Sequence, residues 1–324
     1  MVMAAIDIGK AVLQAASVQG VSGVVDETRF PADRESLHRW VDSFAGRLQR
    51  VVIEATTGWK WIAHELSARG VEVVLADPAE AAARKGRKRR AKTDRLDARF
   101  LLGLLAGGML PRAWLPPAEI QQLRALTRTR KALVDGRSAM AERVQALLAH
   151  EGWPCQRGRL LTQAGRRWVD GLALEPAIRL VLDTLLGVID DIERRLAPLE
   201  QELRGRARSD PRLRELQRIF GVGPVVACHL LAEIGEARRF RRARQVVRLS
   251  GLDPVVLESG ETKRRGRLAK AGPPLLRWAL VEAAQNARRA SSPDHERWLG
   301  VSRRRGSRVA NLTVARTIAV RSYR

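Results

Sequence analysis

The acidic residues whose spacing most clearly suggests a chemical role are Asp94 and Asp97, in the stretch AKTDRLDAR at Ala91–Arg99. The apolar-rich segment that follows predicts a helix, on which residues three apart share a face with Cβ atoms about 5–6 Å apart. Two carboxylates at that spacing suit a hard divalent cation such as Mg²⁺. Acids also favour the first turn of a helix because they offset the helix dipole, so the pair alone leaves both interpretations open.

A strongly basic run stands directly before these acids, because Arg84–Lys92 contains seven basic residues in nine. The whole chain has 59 Lys and Arg against 35 Asp and Glu in 324 residues, a net charge of +24. Residues 206–324 alone carry 27 basic and 10 acidic residues. A charge this large attracts polyanions. The distribution therefore predicts a nucleic-acid partner, gripped most strongly by the last third of the chain.

Composition and residue spacing exclude several other classes of protein. No apolar run approaches the 20 residues or so that cross a bilayer, which predicts no membrane-spanning helix. The first residues, MVMAAIDIGK, lack the pattern of a signal peptide, which predicts a cytoplasmic protein. Cys155 and Cys228 lack metal-ligand spacing, and the five histidines are scattered, so neither a zinc site nor a structural disulfide is expected.

Two further acids lie near the ends of predicted strands. The apolar run Val2–Ile6 leads into Asp7, and RVVIEA at Arg50–Ala55 contains Glu54 near its end. Residues 1–110 alternate strand-like and helix-like segments, which predicts an α/β domain. Ligands in such folds gather at the carboxyl ends of strands. The other predicted elements of this region are strands at Val12–Val18 and Val71–Leu75 and a helix at Trp59–Arg69.

Two long helical stretches follow a proline-rich boundary at Leu110–Pro117. Apolar residues recur at spacings of three, four and seven on both sides of a break at Gly152–Trp153–Pro154. This pattern predicts an antiparallel helical hairpin or coiled coil, used either as a spacer or for oligomerisation. We therefore predict domains at residues 1–112, 113–205 and 206–324.

The last predicted domain contains two candidate contacts to nucleic acid. The stretch Leu216–Gly235 predicts a helix-hairpin-helix, in which Gly221 and Gly223 allow close approach of a phosphate. An ordinary tight turn between helices is the alternative. A polar, glycine-rich loop is predicted at Asp253–Pro274, before helices at Leu275–Ala290 and Ser307–Val320. With Lys92, its basic residues are the predicted nucleic-acid contacts: Lys263, Arg264, Arg265, Arg267 and Lys270.

The four acids Asp7, Glu54, Asp94 and Asp97 form a pattern that resembles an RNase H-like nuclease. Such enzymes place acids on a first strand, on a neighbouring strand and on a helix packed across the sheet. Their sites hold two cations about 3.5–4 Å apart, which stabilise the attacking and leaving oxygens in phosphoryl transfer. Clustered carboxylates repel one another, and bound cations allow them all to stay ionised.

An ordered set of motifs resembles the IS110 family of transposases, which are recombinases of bacterial insertion sequences. The motifs occur in the order of the family and extend over nearly the whole chain. They are AIDIGK at Ala5–Lys10, IEATTGW at Ile53–Trp59, RRAKTDRLDA at Arg89–Ala98, GVGPVVACHLLAEIG at Gly221–Gly235, LSGLDP at Leu249–Pro254, ESG at Glu258–Gly260 and KRRGRLAKAGPPLLRWAL at Lys263–Leu280.

The resemblance implies an α/β N-terminal RNase H/RuvC-like domain, a long helical coiled-coil arm and a mainly α C-terminal transposase domain. The metal-binding acids of the family fall on Asp7, Glu54, Asp94 and Asp97, which implies Mg²⁺ or Mn²⁺ as cofactor. The nucleophilic serine falls on Ser259, which implies attack on a DNA phosphate and a transient phosphoserine linkage. A serine hydroxyl is a weak nucleophile and needs activation. The resemblance implies that the metal ions supply it.

The resemblance also implies the partners of the protein. They are donor and target DNA, a structured non-coding guide RNA, and further copies of this chain in a dimer or tetramer, in the bacterial cytoplasm at the nucleoid. Ser259 is far along the chain from the acids, so completion of the active site within one chain and completion between protomers both remain open. Three features depart from the family: DPVVLESG before the serine, Trp59 in place of tyrosine, and a last helix that ends early.

Three other functions remain open from the residues alone. A RuvC-type endonuclease would use the four acids with water as the nucleophile and leave Ser259 idle. An actin-like sugar kinase would use IDIGK, at Ile6–Lys10, as its first phosphate loop, although no second phosphate loop is evident. A non-catalytic nucleic-acid-binding protein would not need Asp94. The net charge argues against the kinase.

Overall fold

The computed structural model describes residues 1–20, 23–85, 93–155, 157–160, 162–259 and 262–323. At residues 157, 159, 256–259 and 262–265 it describes the backbone alone. The chain divides into two compact units, Met1–Leu115 and Pro116–Arg324. The boundary between them lies within the proline-rich stretch. The finer division of the second unit into an arm and a C-terminal domain remains a prediction.

The first unit is built on a five-stranded sheet with the strand order β3-β2-β1-β4-β5. Strands β1 to β3 form an antiparallel meander, and β4 and β5 run parallel to β1. The mixed α/β region expected at the N-terminus is therefore confirmed. Its elements are β1 (Val2–Ile8), β2 (Val12–Gln19), β3 (Val25–Pro31), α1 (Arg34–Asp42), β4 (Leu48–Glu54), α2 (Trp59–Ala68), β5 (Glu72–Ala76), α3 (Pro78–Arg84) and α4 (Asp94–Ala106).

Helices cover both faces of this sheet, because successive strand residues point to opposite sides. On one face Ile6 and Ile53 pack with Leu37 of α1 and Ile62 of α2. On the other face small residues dominate, and the sheet positions Ala5, Ala16, Val52, Val74 and Ala76 pack with Ala98, Leu101, Leu102 and Leu105 of α4. Alanine on the sheet lets the helix backbone approach closely. Helix α4 therefore packs on the alanine-rich face of the sheet.

The second unit is mostly helical, as the sequence predicts. None of the helices in the described ranges is long and apolar enough to cross a membrane. Its elements are α5 (Ala118–His150), α6 (Arg157–Leu160), α7 (Gln163–Asp170), α8 (Pro176–Ser209), α9 (Pro211–Gln217), α10 (Pro224–Ile234), α11 (Ala243–Leu249), β6 (Pro254–Ser259), β7 (Thr262–Leu268), α12 (Pro274–Ala284), α13 (His295–Arg305) and α14 (Ser307–Arg321).

The two long helices α5 and α8 pack against each other as an antiparallel pair. Arg130 binds Glu200 at 2.8 Å and Arg137 binds Glu193 at 3.3 Å. The residue numbers rise along α5 while those of the partners fall along α8, so the two helices are antiparallel. Their shared core contains Ala141, Val144, Leu148, Leu182, Leu186 and Ile189. Helix α5 ends just before the predicted break at Gly152–Trp153–Pro154. The helical hairpin is therefore present, whereas the coiled-coil assignment remains a prediction.

The segment predicted as a loop at Asp253–Pro274 instead contains an antiparallel hairpin of β6 and β7. The glycines and charges of this segment are typical of loops and concealed the strand signal of its Val-Val-Leu run. Helix α12 is also shorter than predicted, because it changes to a 3₁₀ helix at Gln285–Arg288.

Candidate functional site

Asp7 and Glu54 lie at the carboxyl ends of two adjacent parallel strands. Ile6 of β1 is in register with Ile53 of β4, and each acid is the next residue along its strand. Because side chains alternate along a strand, both acids point to the face that carries Ala5 and is covered by α4. Both side chains are partly buried. The sheet thus places two carboxylates side by side beneath the start of α4.

Helix α4 contributes the other two acids from its first turn. The hydroxyl of Thr93 caps the helix by accepting a hydrogen bond from the Leu96 amide at 3.3 Å. Asp97 precedes the buried Leu101 by four residues, and Asp94 precedes the buried Ala98 by four, so both acids begin the stripe that packs on the sheet. The first turn suits acids because of the helix dipole, and here it also brings them to the acids of the strands.

The electrostatics of Asp7 show that the four acids share one neighbourhood. Partial burial, together with the charges of Asp94, Asp97 and Glu54, raises the pKa of Asp7 to about 6, against a smaller opposing effect of the Ile8 amide. The donor set is entirely carboxylate oxygen, the chemistry that a hard divalent cation requires. Within the described ranges, no three His, Cys, Asp or Glu side chains converge as a ready-made metal-binding group.

A lysine that the sequence analysis did not single out contacts this cluster. The Nζ atom of Lys85 lies 2.5 Å from Oδ1 of Asp97 and 5.2 Å from the centroid of the Phe100 ring. Lys85 directly follows α3, at the start of the basic run before α4. Its ammonium group supplies a positive charge to the acid cluster. Its position in that run was the only signal in the sequence, and the run does not distinguish Lys85 from its neighbours.

A glutamate on the edge strand β3 holds the outer side of α4. The Glu27 carboxylate forms ion pairs with Arg95 and Arg99, which are one turn apart on that helix. Glu27 therefore links the edge of the sheet to the turn that carries Asp94 and Asp97. The residues of β3 predict no strand, so this contact could not be identified from the sequence.

The predicted serine and basic residues belong to the second unit, with Lys92 as the exception. Ser259 is the last residue of β6 and pairs with Thr262 across the hairpin, and its side chain lies outside the described part of the structure. The side chains of Lys263, Arg264 and Arg265 are outside it as well, as is the whole of Lys92. Arg267 and Lys270 are exposed to solvent.

Helices α9 and α10 flank the turn of the predicted helix-hairpin-helix, and the two glycines of this turn are required for different reasons. Gly221 has φ of +87°, and a Cβ atom there would lie 2.4 Å from the carbonyl oxygen of Ala283. Packing therefore accounts for Gly221 without a ligand. A Cβ atom at Gly223 would meet nothing within 4 Å, and this residue precedes the first turn of α10 at the surface. Gly223 alone remains open to a phosphate.

Two family models match the chain over separate ranges. Residues 4–151 match the model of the DEDD transposase of the IS110 type, described as a transposase. Residues 213–299 match the model described as the transposase IS116/IS110/IS902 family. The first range includes the four acids, and the second includes the hairpin that carries Ser259.

Curated relatives agree with these matches. The chain is 33% identical to a probable family 20 transposase of Pseudomonas aeruginosa, over 61% of this chain and 61% of that protein. It is 32% identical to a putative transposase of Sinorhizobium fredii, over 72% and 64%. It is 25% identical to a transposase for an insertion sequence element of Coxiella burnetii, over 72% and 65%. The match thus spans less than two thirds of the length of each of these relatives. Because the two family models match residues 4–151 and 213–299, the chain belongs to the IS110 family of transposases.

Proposed function

We propose that this chain is a DNA transposase of an insertion sequence, which cuts and exchanges DNA strands through a metal-dependent four-acid site. The observation that carries the proposal is that the charges of Glu54, Asp94 and Asp97 act on Asp7 and help to raise its pKa. A structural role does not need four carboxylates in one neighbourhood. The sheet order, with a helix bearing acids across the first strand, supports an RNase H/RuvC-like assignment for the first unit.

The four carboxylates Asp7, Glu54, Asp94 and Asp97 would hold Mg²⁺ or Mn²⁺, since oxygen-only ligands suit both ions. When bound, such ions lower the pKa of an attacking hydroxyl and stabilise charge on the phosphate. The protein itself positions two acids on the rigid strand ends and two on α4. Lys85 would neutralise part of the charge on Asp97 until the cations bind.

Ser259 is proposed as the nucleophile. Its hydroxyl oxygen would form a bond to phosphorus while one deoxyribose oxygen leaves with the electrons of the broken bond. The leaving oxygen would take up a proton in place of the one that the serine loses, and a phosphoserine linkage results. Reversal with a different DNA end then exchanges strands. The match of the family model over residues 213–299 supports this role. The basic residues of β7 and the segment after it would hold the phosphates: Lys263, Arg264, Arg265, Arg267 and Lys270.

Donor and target DNA, a structured guide RNA and further copies of this chain are the proposed partners. A guide RNA would select sequence by base pairing, so that the protein reads mainly the shape and backbone of the nucleic acids. The net charge of +24 suits both kinds of nucleic acid. The alternative function is a RuvC-type endonuclease with a water nucleophile, which the same four acids would serve.

Substitution of single residues tests the proposal. Asp97→Asn is expected to reduce strand cleavage at least about 100-fold, because it weakens binding of the cation that would stabilise charge on the phosphate. Its matched control is Asp42→Asn, which removes an exposed carboxylate of the same unit, paired with Arg69 on its surface. Cleavage and strand joining would be measured on end-labelled DNA with purified protein and the RNA of the element.

The nucleophile is tested separately with Ser259→Ala. This variant should form no covalent protein–DNA adduct and should not exchange strands, while it still binds DNA. Cleavage at the wild-type rate by Ser259→Ala would instead support the endonuclease with water as nucleophile. Full activity of Asp97→Asn would refute both metal-dependent functions.

A further inference from the structure

A cluster of arginines in the second unit lies outside the family motifs and outside the predicted nucleic-acid contacts. Residues 237–249, ARRFRRARQVVRL, contain six arginines and no acidic residue. Five of them have exposed side chains, on a short 3₁₀ helix, on the residues that precede α11 and on α11 itself. We call these five the α11 arginine surface: Arg238, Arg241, Arg242, Arg244 and Arg248.

The sixth arginine fixes this segment to the body of the unit. Arg239 donates a hydrogen bond from Nε to the carbonyl oxygen of Ile234 at 3.0 Å, and its guanidinium stacks 4.2 Å from the ring centroid of Phe240. Burial lowers the pKa of Arg239 to about 10. The hydroxyl of Tyr323 donates to the carbonyl oxygen of Phe240 at 3.1 Å. These contacts hold the segment in place without any help from the exposed arginines.

Helix α11 is anchored in the same way from its inner side. Val246 and Val247 are buried, and the helix packs on α14. The side-chain oxygen of Gln245 accepts hydrogen bonds from the backbone amides of Arg241 at 2.6 Å and Arg242 at 3.1 Å. Arg244 and Arg248 are four residues apart and therefore share one face of the helix. The helix thus presents its arginines from a fixed backbone.

The exposed arginines of this surface have no acidic partner in the described part of the unit. Some exposed arginines elsewhere in the unit are paired with acids, as in Arg194 with Asp191, Arg204 with Glu200 and Arg218 with Glu215. Five uncompensated charges close together repel one another and weaken the folded state. Five such charges on a rigid support indicate that the compensating negative charge comes from outside the described part of the unit.

We propose that the α11 arginine surface binds the phosphodiester backbone of a nucleic acid. Guanidinium groups offer only donors and pair with phosphate oxygens in a bidentate geometry, which a row of phosphates satisfies. None of the family motifs quoted above places a nucleic-acid contact on α11. The inference rests on the proposed function, because a transposase must hold long stretches of polynucleotide away from the bond that it cuts.

A second group of arginines extends this basic character beyond α11. Arg303, Arg304 and Arg305 are exposed at the end of α13. Arg316 is buried enough to have a lowered pKa, to which the nearby charge of Arg305 contributes. Arg316 also donates to the carbonyl oxygen of Leu252, just after α11, at 2.9 Å. Both arginine groups are therefore attached to α14, and a bound backbone could continue from one to the other.

The test compares two triple variants of the full-length chain that lose the same charge. The test variant combines Arg241→Gln, Arg244→Gln and Arg248→Gln. The control combines Arg194→Gln, Arg204→Gln and Arg218→Gln, whose arginines are exposed but ion-paired. Affinity for a 30-bp DNA duplex and for an RNA duplex of the same sequence would be measured by fluorescence anisotropy from about 50 to 300 mM salt.

The test variant is expected to bind about 100-fold more weakly near 0.1 M salt, and the slope of log K against log salt should fall by about 2 to 3. The control should stay within about twofold of wild type. An effect on DNA alone, on RNA alone or on both supports the proposal and identifies the polymer. Equal losses in both triple variants, or wild-type binding by the test variant, would overturn it.

Two further measurements keep the result interpretable. The combination Arg241→Lys, Arg244→Lys and Arg248→Lys preserves the charges and should keep the wild-type salt slope, and thermal unfolding would confirm that each variant is folded. If wild type binds neither duplex, the proposed function fails together with this inference. If wild type binds and the test variant binds equally well, this inference alone fails, since cleavage by Asp97 and Ser259 variants is a separate assay.

Discussion

At the scale of single residues, Lys85 is the side chain whose position adds most to the acid cluster. Its ammonium group contacts the Asp97 carboxylate and lies near the Phe100 ring, so it offsets part of the repulsion among four acids. A divalent cation bound to Asp97 would have to compete with this ion pair. Lys85 therefore sets part of the affinity of the proposed metal site.

Lys85→Gln is expected to tighten Mn²⁺ binding about fivefold, because a partly exposed ion pair of about 1 kcal/mol no longer competes for Asp97. Isothermal titration of the purified chain with Mn²⁺ measures this change. Lys60→Gln, an exposed lysine of α2, is the matched control and should leave the dissociation constant unchanged. Weaker Mn²⁺ binding by Lys85→Gln would show that the lysine assists the metal rather than competing with it.

His229 is a second residue whose environment determines its behaviour. It is fully buried on α10, its ring packs edge-on 5.0 Å from the Trp278 ring, and neither ring nitrogen has a hydrogen-bond partner in the described part of the unit. Burial, together with the charges of Arg130 and Lys131, lowers the pKa of His229 from 6.5 to about 4. The folded unit therefore holds this histidine neutral.

This shift predicts a dependence of stability on pH. Between pH 6.5 and about 4 the unfolded chain binds a proton at His229 that the folded chain excludes, so the free energy of unfolding falls as the pH falls. The loss over this window is on the order of 3 kcal/mol, and the contribution is complete above pH 6.5. His229→Leu should flatten this part of the curve in urea unfolding, whereas His64→Leu, at an exposed position, should keep it.

At the scale of elements, the placement of α4 decides whether the four acids meet. The helix is held on the sheet by its buried residues Leu101 and Leu105 and by the ion pairs of Glu27 with Arg95 and Arg99. The apolar contacts fix the distance of the helix from the sheet. Arg95 lies in the same first turn as Asp94 and Asp97, so its ion pair with Glu27 holds the end of the helix that carries these acids.

Glu27→Gln should therefore loosen the first turn of α4 more than it destabilises the unit. We expect a loss of about 1 kcal/mol in unfolding free energy, because both arginines can be solvated, with faster amide hydrogen exchange confined to the start of α4. Strand cleavage should fall with it. Glu72→Gln, which breaks an exposed ion pair with Arg50, is the control and should change neither. Unchanged exchange in Glu27→Gln would refute this positioning role.

At the scale of the whole molecule, the proposed assembly of several copies depends on surfaces that one chain leaves exposed. Helix α8 carries apolar side chains that its packing against α5 does not cover: Leu180 is 69% exposed, Val181 46% and Val188 38%. Val181 and Val188 are seven residues apart and share one side of the helix, and Leu180 lies about 100° around from Val181. Burial of these side chains against a second copy would remove apolar surface from water.

The double variant Leu180→Glu with Val181→Glu is expected to shift the protein from dimer to monomer in sedimentation velocity, because buried unpaired carboxylates disfavour association. Val24→Glu adds a charge at an exposed apolar position of the first unit and should leave the sedimentation coefficient unchanged. A dimer that survives the double variant would place the contact between copies elsewhere on the chain.

The sequence predicted most of the fold because its patterns are local. The apolar runs before Asp7 and Glu54 identified two adjacent strands, and the periodicity on either side of Gly152–Trp153–Pro154 identified the helix pair. It missed β3 and α1 at residues 25–42, where polar residues interrupt the strand signal and a short helix follows. It also missed the hairpin of β6 and β7, since glycine and charge suggested a loop. Local composition was misleading there because pairing with another strand determines strand formation.

The sequence alone determined which residue types are available: four acids at strand ends and a helix start, a net charge of +24, and the ordered motifs of the IS110 family. Only the tertiary structure decided that the acids share one face of the sheet, that Lys85 and Glu27 are their neighbours, and that Gly221 serves packing. The physical reason is distance along the chain. Glu27 and Arg99 come together only when an edge strand and a helix pack on the same sheet, a contact that no local pattern of residues contains.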